Sequence, residues 1–195
     1  MSIRAPLIAV IGSGTQPHTR LSVPLGKWIA ERGCHLINGG GQGVMFETAK
    51  AFTSIEIKSG LAIGILPAAQ SCETEESRAN CGAPPGYPNA HIDLPIYSHL
   101  HLSGESGKDP ASRNHIIILS ASIVIALPGG AGTRTEMELA LEYKKPLLII
   151  SPDKAWKEFA NSGAVIVKTA EEAIVWLDQK IPKFLFYMDK QDGQD

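Results

Sequence analysis

IVIALPGGAGTRTE, residues 123–136, is an apolar β-branched run that stops at Pro128, passes through Gly129, Gly130, Ala131 and Gly132, and resumes as a polar helix. It reads as a buried strand feeding a helix through a turn almost without side chains. Such a turn lets backbone N–H groups come close to a ligand, and the helix N-terminus behind it favours an anion. The ligand implied carries a phosphate or a similar group.

Outward from this stretch, strand-like and helix-like segments alternate. Leu7–Ile11 is a continuous apolar run, as expected of a strand buried on both faces of a parallel sheet. Residues 22–32 follow with Leu25, Trp28 and Ile29 at helical spacing, 34–37 reads as a second strand and 43–52 as a second helix. Residues 61–66 form a third strand ended by Pro67. A helix from near Ser112 to Ala121 precedes the strand at 123–127, and the helix at 133–144 stops before Pro146. Residues 147–150 and 165–167 read as two more strands, with a helix at 171–178. Repeated βα units of this kind predict an α/β, Rossmann-like three-layer sandwich, its sheet mostly parallel with helices on both faces.

The exception is 68–109, which holds Pro84, Pro85, Pro88 and Pro95 and a single strand-like run at 91–97. Loops this long within a compact domain are usually functional or mobile. This one is expected to supply the ligand-specific wall or lid, with 103–108, Ser-Gly-Glu-Ser-Gly-Lys, moving when no ligand is present. A length of 195 residues and 44% apolar content fit one domain, expected over 1–188, with 189–195 a disordered tail. A net charge of −2, with both signs spread along the chain, gives no reason to expect nucleic acid. No apolar run has transmembrane length, and the apolar start runs into Gly12-Ser13-Gly14 rather than a cleavage site. Cys34, Cys72 and Cys81 are odd in number and lack C-x-x-C spacing, which predicts reduced thiols in a cytoplasmic protein.

Three strands end in glycine turns: Gly12-Ser13-Gly14-Thr15, Gly39-Gly40-Gly41-Gln42-Gly43 and Gly129-Gly130-Ala131-Gly132-Thr133. In a parallel sheet all three fall on the edge where ligands bind. Gly41, Gly130 and Thr133 are therefore expected within reach of one phosphate. A dinucleotide site is disfavoured, because Pro17 takes the place of the third glycine of G-x-G-x-x-G. The second strand also runs into Asn38 where an acidic residue should hold the ribose. No G-K-[ST] follows any of the turns, so there is no Walker A loop.

The motif P-G-G-A-G-T-R-T-E resembles the P-G-G-x-G-T-x-x-E signature of the LOG (Lonely Guy) superfamily, whose members are often mislabelled lysine decarboxylases. G-G-G-Q-G-V-M is similar to its other glycine motif. Arg113 precedes Pro128 by the fifteen positions that separate the family's arginine from its proline (128 − 113 = 15). The resemblance covers roughly residues 7–150. It implies one of two activities. The LOG enzymes cleave the N-glycosidic bond of nucleoside 5′-monophosphates, including AMP and cytokinin riboside 5′-monophosphates, and Arg113 and Glu136 would then be the catalytic pair. However, Asn114 stands where those enzymes carry lysine, and Thr135 where they carry the first of two glutamates. The Arg-Asn pair and the G-V-M turn look more like the molybdenum cofactor carrier proteins, which bind a phosphorylated pterin. The favoured expectation is such a carrier, with the molybdenum cofactor as cargo and no catalytic cofactor. Its ligand would be held by Gly12, Ser13, Gly14, Gly40, Gly41, Gly43, Arg113, Asn114, Pro128, Gly129, Gly130, Ala131, Gly132, Thr133 and Glu136. A homodimer or higher homo-oligomer is implied by the resemblance alone.

Several plainer readings stand beside these. Thr133-x-x-Glu136 also has capping-box spacing, which would leave Glu136 merely satisfying helix N–H groups. Arg113 in the first turn of a helix opposes the dipole and is easier to understand facing an anion. His99-x-His101 lacks a third ligand, so no metal site is expected. Cys72 and Cys81 flank a loop where they could oxidise or hold a soft ligand, and the bland reading is two free thiols.

Overall fold

The computed structural model describes residues 5–153 and 155–191, with side chains described as far as Ile181. Its centre is β1 (Leu7–Ile11), flanked by β2 (His35–Asn38) and, on the other side, β5 (Ile123–Ala126). The chain winds outward from β1 through β2 to β3 (Ala62–Leu66) and β4 (Leu94–Tyr97). It then returns across β1 to β5, β6 (Leu147–Ile150) and β7 (Val165–Val167). Every pairing in the order β4-β3-β2-β1-β5-β6-β7 is parallel, so the sheet is wholly parallel.

The layers follow from side-chain alternation. Along β1, Ile8 and Val10 face one core while Ala9 and Ile11 face the other. The first core takes Leu25 and Ile29 of α1 (Thr19–Glu31), Phe52 of α2 (Val44–Thr53) and Leu177 of α6 (Ala170–Gln191). The second takes Ile117 of α4 (Asn114–Ser120) and Met137 and Ala140 of α5 (Ala131–Glu142). Strands buried on both faces need apolar residues at every position, which is why they read as unbroken runs.

Helix α1 lies so close to α2 that a Cβ on Gly26 would overlap the Thr48 carbonyl oxygen and stand 2.9 Å from the Ala51 Cβ. Gly26→Ala is therefore expected to destabilise the fold by about 1–2 kcal/mol, although alanine is the better helix former. Urea unfolding would check this, and a variant as stable as the parent would mean that the two helices separate freely.

Some expected boundaries move. Helix α1 starts three residues before 22, and the strand expected at 91–97 shortens to β4. Helix α6 runs on from 178 to Gln191, so the expected tail at 189–195 falls partly in that helix and partly outside the described residues. Within 68–109 there is also a short helix, α3 (Glu75–Ala79), with no buried side chain and hence no apolar periodicity to betray it. The most consequential shift is at α5. It begins at Ala131 with Gly130 as its N-cap, so Thr133 lies inside the helix and the capping-box reading of Thr133 and Glu136 falls. Among the described residues no helix is long and apolar enough to cross a membrane.

Candidate functional site

Strand order reverses between β1 and β5, and a doubly wound sheet opens a crevice at the carboxyl ends of two such strands. The three glycine turns follow β2, β1 and β5, three neighbours in the sheet, and so share that edge. They are also tied together. The N–H of Ser13 donates to the Pro128 carbonyl at 3.1 Å, and the N–H of Val44 donates to the Ser13 carbonyl at 2.9 Å. Ser13 Oγ accepts from the N–H groups of Thr15 and Gln16, which curls the first turn.

The crevice holds a cavity of about 360 Å³. Of the residues expected there, Gly12, Ser13, Gly14, Arg113, Asn114, Gly130, Gly132, Thr133 and Glu136 line it. Gly40, Gly41, Gly43, Pro128, Gly129 and Ala131 are not among its lining residues, and most of them shape the walls from behind. Gly43, at φ +63°, presses against the first turn, where a Cβ would lie 2.7 Å from the backbone of Gly14 and Thr15. Gly129 is covered by the Thr133 side chain. Gly41 lies under the Tyr87 ring, so the common phosphate contact expected for Gly41, Gly130 and Thr133 loses its first member.

The lining residues missing from the expected set are Val10, Ile11, Thr15, Gly39, Met45, Tyr87, Ser103 and Gly104. Tyr87, Ser103 and Gly104 arrive from 68–109, so that segment does form part of the wall. It is held to the second glycine turn by Asn89, whose N–H donates to the Gly40 carbonyl at 2.8 Å and whose Nδ2 donates to the Gly41 carbonyl at 2.8 Å. Asn38, where a dinucleotide fold would need an acid, is fully buried and accepts from the Gly40 N–H at 2.8 Å. Its role is to shape the turn.

Arg113 is the N-cap residue of α4 and only 6% exposed. Its Nη1 donates to the Ile65 carbonyl at 2.9 Å, and its guanidinium sits 5.8 Å from the Tyr87 ring centre. The guanidinium occupies the space where Gly39 would carry a side chain, 2.6 Å from Cζ to an ideal Cβ. Gly39 is thus the slot that admits the arginine. Burial pushes the Arg113 pKa down, opposed by Tyr87 and by the carboxylate of Glu136. Nε, buried, has no hydrogen-bond partner.

Opposite stands the start of α5, with no side-chain cap and no acidic residue in its first turn. Its N–H groups therefore lack the protein acceptor that helix ends normally recruit. Glu136, one turn further on, faces the cavity, partly exposed. Burial raises its pKa to about 7, while the Arg113 charge lowers it. The crevice therefore combines a buried guanidinium, a free helix N-terminus and a carboxyl group able to hold or release a proton near neutrality.

The roof is the 3-10 turn Gly104–Ser106, inside the segment expected to move. Thr135 Oγ1 donates either to the Gly104 carbonyl at 3.0 Å or to Gly132 at 2.8 Å, and Lys108 Nζ reaches Glu138 at 3.4 Å and Glu142 at 3.7 Å. Thr135, where the LOG enzymes carry glutamate, thus holds the roof to α5. Thr135→Val should remove about 1 kcal/mol of that attachment and raise amide exchange across 103–107 by roughly fivefold. Unchanged exchange would place the attachment elsewhere.

The model of the SLOG cluster4 family matches residues 5–176. The chain belongs to the SLOG cluster4 family. An uncharacterized protein of Archaeoglobus fulgidus is 29% identical to this SLOG cluster4 chain over 169 residues, 86% of the chain and 91% of that protein. Among solved structures, the molybdenum cofactor binding protein of the phototrophic bacterium Rippkaea orientalis is similar at 29% identity and TM-score 0.68, covering 92% of this chain and 99% of that one. The molybdenum cofactor carrier protein of Chlamydomonas reinhardtii is similar at 28% identity and TM-score 0.68, covering 92% and 99%. The fold and the carrier-type relationship expected from the glycine motifs are thereby met.

Proposed function

We propose that the chain binds a phosphate-bearing small molecule in the crevice between β1 and β5, and that this ligand is the molybdenum cofactor, carried or stored without being transformed. The observation that carries the reading is the buried Arg113 guanidinium in the wall of a cavity that also receives the uncapped start of α5. A buried charge is costly, and an anionic group delivered by a ligand offsets that cost. The likeness to two molybdenum cofactor proteins over more than nine-tenths of the chain supports a phosphorylated pterin as the first candidate. In this reading the protein acts as a cytoplasmic homodimer or higher homo-oligomer.

One observation favours a second reading. A carboxyl group poised near pH 7 next to an arginine is also what a nucleoside 5′-monophosphate phosphoribohydrolase needs, to activate water or to stabilise an oxocarbenium-like transition state. Both functions require the anion cradle, so AMP binding does not separate them. Incubation of the protein with AMP and with isopentenyladenosine monophosphate, alongside titration with molybdenum cofactor, does. The carrier reading expects saturable cofactor binding and no free base. Multiple turnovers that fall at least 10²-fold in Glu136→Gln would replace it with the hydrolase.

A further inference from the structure

Far along the chain from the glycine motifs, two of the three cysteines meet. The thiols of Cys72 and Cys81 both point at one acceptor, the Gln70 carbonyl, at 3.3 and 3.8 Å. The intervening loop is already folded to bring them together. The N–H of Ala69 donates to the Gly82 carbonyl at 2.9 Å, closing the loop's base. Within it, Thr74 and Ser77 cap α3 reciprocally, and Arg78 Nη1 donates back to the carbonyls of Cys72 and Glu73 at 3.2 and 2.8 Å. Both cysteines are unbridged and half-buried, whereas Cys34 is fully buried in the core below α1.

We infer that Cys72 and Cys81 are a redox-modification site, a dithiol that small disulfides such as oxidised glutathione convert to an intramolecular disulfide. Closure of such a bond demands that the two sulfurs come together, and the shared Gln70 carbonyl and the paired ends of the loop hold them in one neighbourhood. One of the two sulfurs, losing its proton to water, displaces one glutathione thiolate and forms a mixed disulfide. The other sulfur, losing its proton to water or to the departing thiolate, then attacks the protein sulfur of that mixed disulfide and expels the second glutathione thiolate. Two protein thiols and one glutathione disulfide become one protein disulfide and two glutathione thiols.

The bond would close a ring in the wall segment just before the turn in which the Tyr87 N–H donates to the Pro84 carbonyl and Tyr87 enters the crevice. The site is therefore connected to the ligand pocket while remaining independent of what the pocket binds.

Trypsin provides a clear test, because cleavage after Arg32, Lys50, Lys58, Arg78 and Lys108 leaves Cys34, Cys72 and Cys81 in three different peptides, 33–50, 59–78 and 79–108. The full chain, treated with oxidised glutathione and digested without reductant, should yield 59–78 joined to 79–108, with 33–50 free. Cys72→Ser should trap one glutathione on Cys81, and Cys81→Ser one on Cys72, because neither variant has a second thiol to complete the exchange. Separate glutathione adducts on both cysteines of the parent chain, a bond to Cys34, a bond between two chains, or three unreacted thiols would each overturn the inference.

Discussion

Arg113→Ala is expected to lower affinity for molybdenum cofactor by about 1.5–3 kcal/mol, roughly 10- to 150-fold, in a calorimetric titration. The guanidinium is a buried cation that lines the cavity, and a ligand phosphate meeting it forms charge-assisted hydrogen bonds in a site largely shielded from water. Arg113→Lys keeps a charge but not the planar array of donors, so it should recover only part of the loss. Gly39→Ala offers a test that leaves the arginine in the sequence. Its methyl group claims the space of the guanidinium, so it should mimic part of the Arg113→Ala effect. Undiminished affinity in Arg113→Ala would confine the arginine to holding the Ile65 carbonyl and the Tyr87 ring.

The second large effect is on stability, and its sign depends on pH. Glu136 titrates at about 7 in the folded chain, against an ordinary value of 4.5. Between those limits the folded state binds more protons than the unfolded state, so stability falls as pH rises through this window and stays lowered above it. Glu136→Gln removes the ionisation. It should stabilise the protein by about 1–3 kcal/mol at pH 8, an amount discounted for the partial exposure of the carboxyl, and by nothing attributable to charge at pH 4. Urea unfolding at pH 4, 6 and 8 would show the gap opening. A constant difference would mean that Glu136 ionises normally. A carboxylate that costs the resting fold stability is the kind of residue that function retains.

The layer architecture was legible because the evidence for it is local. Leu7–Ile11, Ile123–Ala126 and Leu147–Ile150 are unbroken apolar runs, and each meets a glycine or proline within two residues of its end. The location of the site was legible because parallel strands deliver their carboxyl ends to one edge. The role of each glycine was not. Gly39, Gly40 and Gly41 look equivalent in sequence, yet one admits Arg113, one turns at φ +72° beside Leu66, and one supports Tyr87. Those distinctions depend on partners 26 to 74 positions away in the sequence, which no local pattern encodes. Tyr87 was missed for the same reason, since an aromatic residue among prolines in a long loop carries no periodicity. The second helix boundary that mattered, at Ala131, was misplaced because Gly-Ala-Gly has low helix propensity, and only the surrounding packing of α5 makes it helical.

The roof over the crevice has a kinetic consequence. The floor is three glycine turns locked to one another, so little of it has to reorganise when a ligand arrives. The covering turn is tied to α5 by one threonine hydroxyl and by Lys108 ion pairs with partly exposed side chains, while His115 holds the chain just after it through the Lys108 and Asp109 carbonyls. Such pairs contribute little individually and are weakened by salt. Under the carrier reading, the roof rather than the cradle would set the residence time: a ligand would be held by the contacts below and released once the covering turn lifts. Rising ionic strength should then shorten the dwell, as should anything that competes for Glu138 and Glu142. On that reading the rate of release is tuned in the covering segment, separately from affinity.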